Sequence, residues 1–447
     1  MTGRGMLTRF LPAPVRPPAE HPDPAEGREA GGGLLRDASM LGAGLVAAQL
    51  ITVLTYWLTA RSLGPADFGL LLGAVGLARM TIAVADFGIN LSAVRDLARD
   101  PTATSAFTDA LASKLVIAVL LGAASLLAAG AAVASGILPT ALLLLGPFVS
   151  LQVVAATLQV PLRAVRCTGL VSFLTVLDAA LPLIVVAAAL RAGNDAVLVA
   201  LPLGLVIGAL LVTFSTWWML EPRFRDLARP TLPGCWHVCK ASAHFGLASI
   251  TPHLQRADVA IVGMVAGPVA AGLFAVPARL TNPLSIIPHA FSTALLPRIA
   301  GAHDRPAAHR AMVRGTALLL GGTSIVLGGL FVLARPAIVF ALGSSYLPSA
   351  EVLRVTLVGV LVAALNQPTA VLLQAEGHER FVALVLTAAS AAGLAGIAVG
   401  ASVAGAYGAA FGFVLLQLVA AGCLAVRAVR VLDRRQPRVS MLGEVRD

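Results

Sequence analysis

Residues 41–60 read LGAGLVAAQLITVLTYWLTA, and after the link Arg61-Ser62-Leu63-Gly64-Pro65-Ala66-Asp67-Phe68, residues 69–90 read GLLLGAVGLARMTIAVADFGIN. A helix rising about 1.5 Å per residue needs roughly 20 apolar residues to cross a hydrocarbon layer about 30 Å thick. Both runs meet that length. They are apolar throughout rather than alternating like barrel strands, and backbone polar groups in lipid must find their partners within the segment. The reading is two membrane-spanning helices joined by a Gly-Pro turn.

The same rhythm continues along the chain. Spans are expected near 41–60, 69–90, 115–134, 141–160, 173–190 and 196–220, then near 244–265, 269–296, 315–334, 349–373, 381–401 and 408–426. Of 447 residues, 58% are hydrophobic and 12% charged, with mean hydropathy +0.87, more apolar side chain than one soluble core can bury. The expected fold is an all-α, polytopic membrane protein of about twelve transmembrane helices in two parallel-repeat six-helix lobes. Residues 1–37 lack the apolar run of a signal peptide and are expected to form a disordered cytoplasmic tail. The lobes are expected at 38–230 and 231–432, followed by a cytoplasmic tail at 433–447.

A net charge of +10 invites a nucleic-acid reading, but the arginines are scattered through short loops between apolar runs. They report topology instead. With both termini inside, 25 of the 32 Lys and Arg residues fall on the cytoplasmic side, and only Arg61, Arg191 and Arg335 fall outside. Arg79, Arg256, Arg279 and Arg354 lie within spans. Cys167, Cys235, Cys239 and Cys423 fall in or beside cytoplasmic segments, where thiols stay reduced. Cys235, His237 and Cys239 have no evident fourth ligand, so no metal site is expected. No nucleotide loop or catalytic triad appears, which argues against an enzyme and against any cofactor.

Gly64-Pro65-Ala66-Asp67-Phe68-Gly69-Leu70 recurs as Gly267-Pro268-Val269-Ala270-Ala271-Gly272-Leu273, an offset of 203 positions that also carries Arg95 onto Arg298. Gly-Pro is ordinary turn chemistry, but the shared register of the arginines favours a true repeat. Two six-span halves in parallel orientation follow, an arrangement that supports alternating access about a central cavity.

Arg61-Ser62-Leu63-Gly64-Pro65-Ala66-Asp67-Phe68-Gly69 and Asp86-Phe87-Gly88-Ile89 resemble the opening of Wzx-type polysaccharide flippases, of the multidrug/oligosaccharidyl-lipid/polysaccharide exporter superfamily. Arg256-Ala257-Asp258, Gly272-Leu273-Phe274 and Leu296-Pro297-Arg298-Ile299-Ala300 are similar to the start of that family's second half, and Leu373-Gln374-Ala375-Glu376-Gly377 to its loop after span ten. The resemblance implies a transporter moving undecaprenyl-diphosphate-linked oligosaccharide from the inner to the outer leaflet of the cytoplasmic membrane. The bilayer and the polymerase and glycosyltransferases of the same pathway are its implied partners. A cation-coupled drug exporter and a lipid II flippase of the same superfamily are the nearest alternatives. A membrane glycan polymerase is the enzyme alternative, disfavoured by short outer loops.

Ionisable groups in mid-span usually face a cavity or a partner. At 100° per residue, Asp86 and Asn90 fall within about 20° of Arg79 on span two. The repeat offset places Asn282, His289 and Thr293 at the same positions of span eight, with Arg279 one turn before Asn282. Two arginines facing one cavity can clamp a diphosphate, because guanidinium offers paired planar donors and keeps its charge. The alternative is that Arg79 pairs with Asp86 or Asp178 to hold helices together. Arg256 and Asp258 project about 200° apart and so look to different neighbours. The candidate cavity set is Arg79, Asp86, Asn90, Arg256, Asp258, Arg279, Asn282 and His289. Glu351 and Arg354, three apart, are read as a pair at the interface.

The charge bias generates a topology test. In a chain whose four native cysteines are replaced, a single cysteine at Arg229 is expected to resist a membrane-impermeant thiol reagent added outside intact cells and to react after permeabilisation. Labelling from outside would mean that the span count is wrong.

Overall fold

The computed structural model describes residues 24–100, 102, 104–136, 139–225, 253–285 and 305–433, with five single positions between 236 and 246. Among the described residues the regular structure is helical, with no strand. Among the described residues, eight stretches are long and apolar enough to cross a membrane. Two of them carry two crossings each. Ser39–Asp86 is interrupted at Gly64 (φ 75°, ψ 173°), and Glu379–Val431 is interrupted at Ala404 (φ −139°, ψ 27°) and Gly405 (φ 57°, ψ −138°). A further break at Gly267 separates Asp258–Ala266 from Pro268–Leu280, so the described residues carry parts of all twelve spans. Phe340 and Val403, 88% and 82% exposed, are large apolar side chains on the outside of these helices, as a lipid-facing surface requires.

The first helix begins at Pro24, so residues 24–37 of the expected tail are helical. Extending a helix already anchored by a span avoids the cost of nucleation, and Ala, Glu, Arg and Leu in this stretch favour continuation. Span three also begins earlier than its apolar run, at Thr104. Arg298, Thr293 and His289 lie outside the described residues, as do Cys235, His237, Cys239 and Arg229.

The chain divides into two compact units, Met1–Ala275 with Ala341–Tyr346, and Val276–Phe340 with Leu347–Asp447. In the first unit, the two copies of the repeated motif meet. Gly64 and Gly267 share one backbone conformation (φ 75°, ψ 173° and φ 88°, ψ 169°), which favours glycine, and each is followed by a proline at the first helical position. A Cβ at Gly69 would run into the Pro268 carbonyl and the Gly272 backbone, and a Cβ at Gly272 would run into the Pro65 carbonyl. The reciprocity is that of two repeat copies crossing through their glycines, the close backbone approach that small residues allow in lipid. Residues 341–346 join this unit through Trp57, whose Nε1 donates to the Ala341 carbonyl at 3.0 Å, and through Tyr346, edge-on to Phe68 at 6.5 Å.

Span two stops at Asp86. Phe87 and Gly88 take positive φ (39° and 75°), and Ile89–Arg99 continues as a short amphipathic helix burying Ile89, Ser92, Ala93 and Leu97 while exposing Arg99. Breaking a helix leaves its last carbonyls without partners. Lys114 of span three supplies the missing donor: its Nζ donates to the Ala85 carbonyl at 2.9 Å and to Asp86 Oδ1 at 2.9 Å, and its side chain is only 1% exposed. A cation at a helix C-terminus also complements the helix dipole. Just beyond the break, Asn90 Oδ1 accepts from Thr157 of span four at 3.0 Å.

In the second unit, Ser349–Ala375 packs on the hairpin of spans eleven and twelve. That hairpin closes through glycines facing the opposing backbone, Gly400 against Gly408 and Gly396 against Gly412. Arg354 pairs with Glu351 at 2.8 Å and lies over the Phe331 ring, the interfacial pairing expected for these two.

Two stability outcomes follow from these contacts. Gly69→Ala or Gly272→Ala forces backbone apart and should cost about 1–3 kcal/mol, seen as a lower thermal midpoint of the purified protein, whereas Gly42→Ala, with nothing within 4 Å, should not. Lys114→Ala strands the Asp86 carboxylate and the Ala85 carbonyl and should cost about 3–5 kcal/mol, read as lost abundance in the membrane. Lys114→Met combined with Asp86→Asn should recover most of that abundance, because no buried charge is then left without its counter-ion.

Candidate functional site

A cavity of about 170 Å³ lies among spans one, two, five and six of the first unit. Span one contributes Leu45, Gln49, Thr52 and Tyr56, which recur at helical spacing and so share one face. Arg79 enters from span two, Thr175, Asp178 and Pro182 from span five, and Leu201 and Leu205 from span six. The rear wall depends on glycine. A Cβ at Gly204 would sit 2.6 Å from the Pro182 Cα, and one at Gly208 would sit 3.2 Å from the Asp178 carbonyl. Bare backbone at these two positions lets span six lie close against span five and holds Asp178 at the cavity.

The polar groups of this cavity are unevenly satisfied. The hydroxyls of Thr52, Thr55 and Thr175 donate back to the carbonyls of Ala48, Ile51 and Val171 at 2.8–2.9 Å, as threonines in apolar helices do. Asp178 Oδ2 accepts from Gln152 Nε2 at 3.1 Å. The Arg79 guanidinium lies 5.9 Å from the Phe148 ring centroid, and its Nε is buried with no hydrogen-bond partner. Among the described residues no carboxylate oxygen lies within 4.0 Å of it, although Asp178 is near enough for electrostatic attraction. A buried donor of this kind carries the full cost of desolvation unless something else accepts from it.

The structure separates residues that helical angle alone had grouped. Arg79 lines the cavity, but Asp86 is held by Lys114 and Asn90 by Thr157. Asp86 is still felt electrostatically by Arg163 at the end of span four and by His253 at the start of span seven. Arg256 sits in the short 3-10 turn Gln255–Ala257, and Asp258, buried, accepts from the Val259 backbone N–H at 2.7 Å as the next helix starts. That arrangement suits a helix N-terminus, where a carboxylate offsets unpaired N–H groups. In the second unit, Arg279 occupies the last turn of Pro268–Leu280, and Asn282 opens the 3-10 turn Asn282–Ser285 that packs on Ser349–Ala375. His289 lies outside the described residues.

Three residues around Arg79 escaped sequence reasoning or were underweighted. Asp178 entered only as a pairing alternative, and Gln49 and Tyr56 were not singled out. Their signal was present: Gln49 and Tyr56 stand seven apart, two turns on one face with Thr52 between them, which is the spacing of a polar stripe. Gln152 carried no such signal, because its link to Asp178 crosses between spans four and five.

With this geometry in hand, comparison with known proteins places the chain. The fold is similar to that of a lipid II flippase, MurJ, in an inward closed conformation (TM-score 0.68, 13% identity, 87% of each chain covered). It is also similar to an inward-facing multidrug resistance MATE family transporter of the MOP superfamily (TM-score 0.64, 14% identity, 87% of this chain and 96% of that one). A third likeness is to a MOP superfamily transporter from Pyrococcus furiosus (TM-score 0.58, 15% identity, 89% and 95% covered). Identities this low establish the fold alone. Among curated proteins no sequence matches. The model of the polysaccharide biosynthesis protein family matches residues 34–303, well over half of the chain, in keeping with the polysaccharide-flippase resemblance of its motifs. This multi-pass membrane protein belongs to the polysaccharide biosynthesis protein family.

Proposed function

We propose that the protein is a flippase that moves undecaprenyl-diphosphate-linked oligosaccharide from the inner to the outer leaflet of the cytoplasmic membrane, by alternating access of two six-span lobes, with both termini cytoplasmic. One observation carries the reading: an arginine in a cavity within membrane-spanning helices, with a buried donor that no group among the described residues accepts. An anionic headgroup crossing hydrocarbon alone loses its hydration, and a fixed guanidinium in a polar cavity offsets that loss without being consumed. The guanidinium suits a diphosphate, to which it offers paired donors, and opposes a cationic drug. Arg279 is assigned the same role in the second unit. The work is binding and movement, with no covalent step and hence no catalytic residue.

Flipping of a fluorescent lipid-linked glycan in reconstituted vesicles tests this. Arg79→Ala is expected to slow flipping by more than about tenfold, the worth of one charge-assisted hydrogen bond, with the thermal midpoint unchanged. Arg79→Lys is expected to keep part of the activity, since ammonium lacks the paired fork. If Arg79 serves only to hold helices against Asp178, Arg79→Ala lowers the midpoint and adding Asp178→Asn restores it. Normal flipping by Arg79→Ala, or by that double variant, overturns the reading.

A further inference from the structure

We infer that the cavity beside Arg79 is a saccharide subsite, in which Asp178, Gln49 and Tyr56 hold the first sugar attached to the lipid diphosphate. This rests on the flippase reading and adds which part of the substrate the cavity takes.

The argument is one of donors and acceptors. A diphosphate brings negative charge and acceptors only, so a cavity built for it alone would present donors and cations. This one presents a single guanidinium balanced by a single carboxylate. Asp178 Oδ1 faces no hydrogen-bond donor among the described residues, and the threonine hydroxyls, having given their protons to their own helices, have only lone pairs left to offer. Gln49 and Tyr56 make no hydrogen bond among the described residues, and each can both donate and accept. Away from Arg79, Asp178 Oδ1 and the threonine oxygens are acceptors without donors, and the hydroxyls of a sugar ring supply protons to them. The Tyr56 ring adds an apolar face against which the C–H face of a sugar can lie.

Size agrees. The cavity, at about 170 Å³, falls below the about 300–1,000 Å³ typical of drug-sized ligands. One sugar ring fits that scale and an oligosaccharide does not. Arg79, at the same cavity, then meets the phosphate bonded to that sugar. The sign of Asp178 separates this arrangement from a plain anion site, because a carboxylate repels a bare diphosphate while it accepts from a sugar hydroxyl.

The test measures binding to the full-length protein in lipid nanodiscs. The probes are undecaprenyl diphosphate and the same lipid bearing one glucose, galactose or N-acetylglucosamine. The wild type is expected to bind at least one glycosylated probe about tenfold more tightly than the bare one, as a site built to pair hydroxyls rejects a ligand lacking them. Asp178→Asn should weaken that probe by about five- to tenfold and leave the bare diphosphate unchanged or tighter. Gln49→Ala should weaken the glycosylated probe by about threefold, with the bare one unchanged, and it carries the test if Asp178→Asn does not fold. The inference is overturned if no glycosylated probe is preferred, or if both variants weaken all probes alike. The flippase reading fails separately, if the wild type binds no probe or if Arg79→Ala binds every probe as the wild type does.

Discussion

In lipid, a backbone N–H or C=O without a partner costs several kcal/mol, and nearly every feature of this chain is an answer to that cost. Unbroken helices satisfy it by themselves, so the informative places are the breaks. At Gly64, Gly267 and Gly405 the chain reverses with glycines at positive φ, where the segment leaves one span and enters the next. At Asp86-Phe87-Gly88 the break is of another kind, because the freed Ala85 carbonyl is answered by a buried lysine from the next span. One ammonium thus caps a helix, neutralises a carboxylate and ties spans two and three together.

A second consequence of lipid as solvent is that apolar burial adds little to helix association, so helices gain by coming close. Glycine makes that possible at Gly69 with Gly272, at Gly204 with Pro182 and at Gly400 with Gly408. The first contact joins the two copies of the internal repeat and the second sets the rear wall of the Arg79 cavity. The position of a charged group in this protein is therefore decided partly by residues that carry no side chain at all.

The same logic marks what the sequence could reveal. Span positions, the Gly-Pro repeat and the place of Arg79 within span two were legible, because each is a pattern along the chain. The helical angle from Arg79 to Asn90 runs through Phe87 and Gly88, where the helix ends and a new axis begins, whereas Asp86 shares the helix of Arg79 but sits at its last residue, where Lys114 holds it. Lys114 was hidden for a related reason. Its charge marked the apparent edge of the apolar run, while the helix itself begins ten residues earlier at Thr104, and only a partner on another span explains how the lysine is buried. Asp178 and Gln152 form a contact between spans four and five, which no periodicity along either span encodes.

The neighbourhood of Arg79 and Asp178 bears on turnover as well as on recognition. A guanidinium alone in a low-dielectric cavity would hold an anion tightly, and a transporter that holds too tightly does not release. On the proposed function, a carboxylate at the same cavity, held by Gln152 and close enough to attract Arg79, weakens the grip on phosphate by repelling the incoming anion. On the proposed function, a ligand that brings a sugar as well as a phosphate recovers that loss by satisfying the carboxylate, whereas free inorganic diphosphate does not. The pair then works as a filter. On that reading it lowers affinity for anions in general, restores it for one that arrives with hydroxyls beside its phosphate, and leaves the site weak enough to empty.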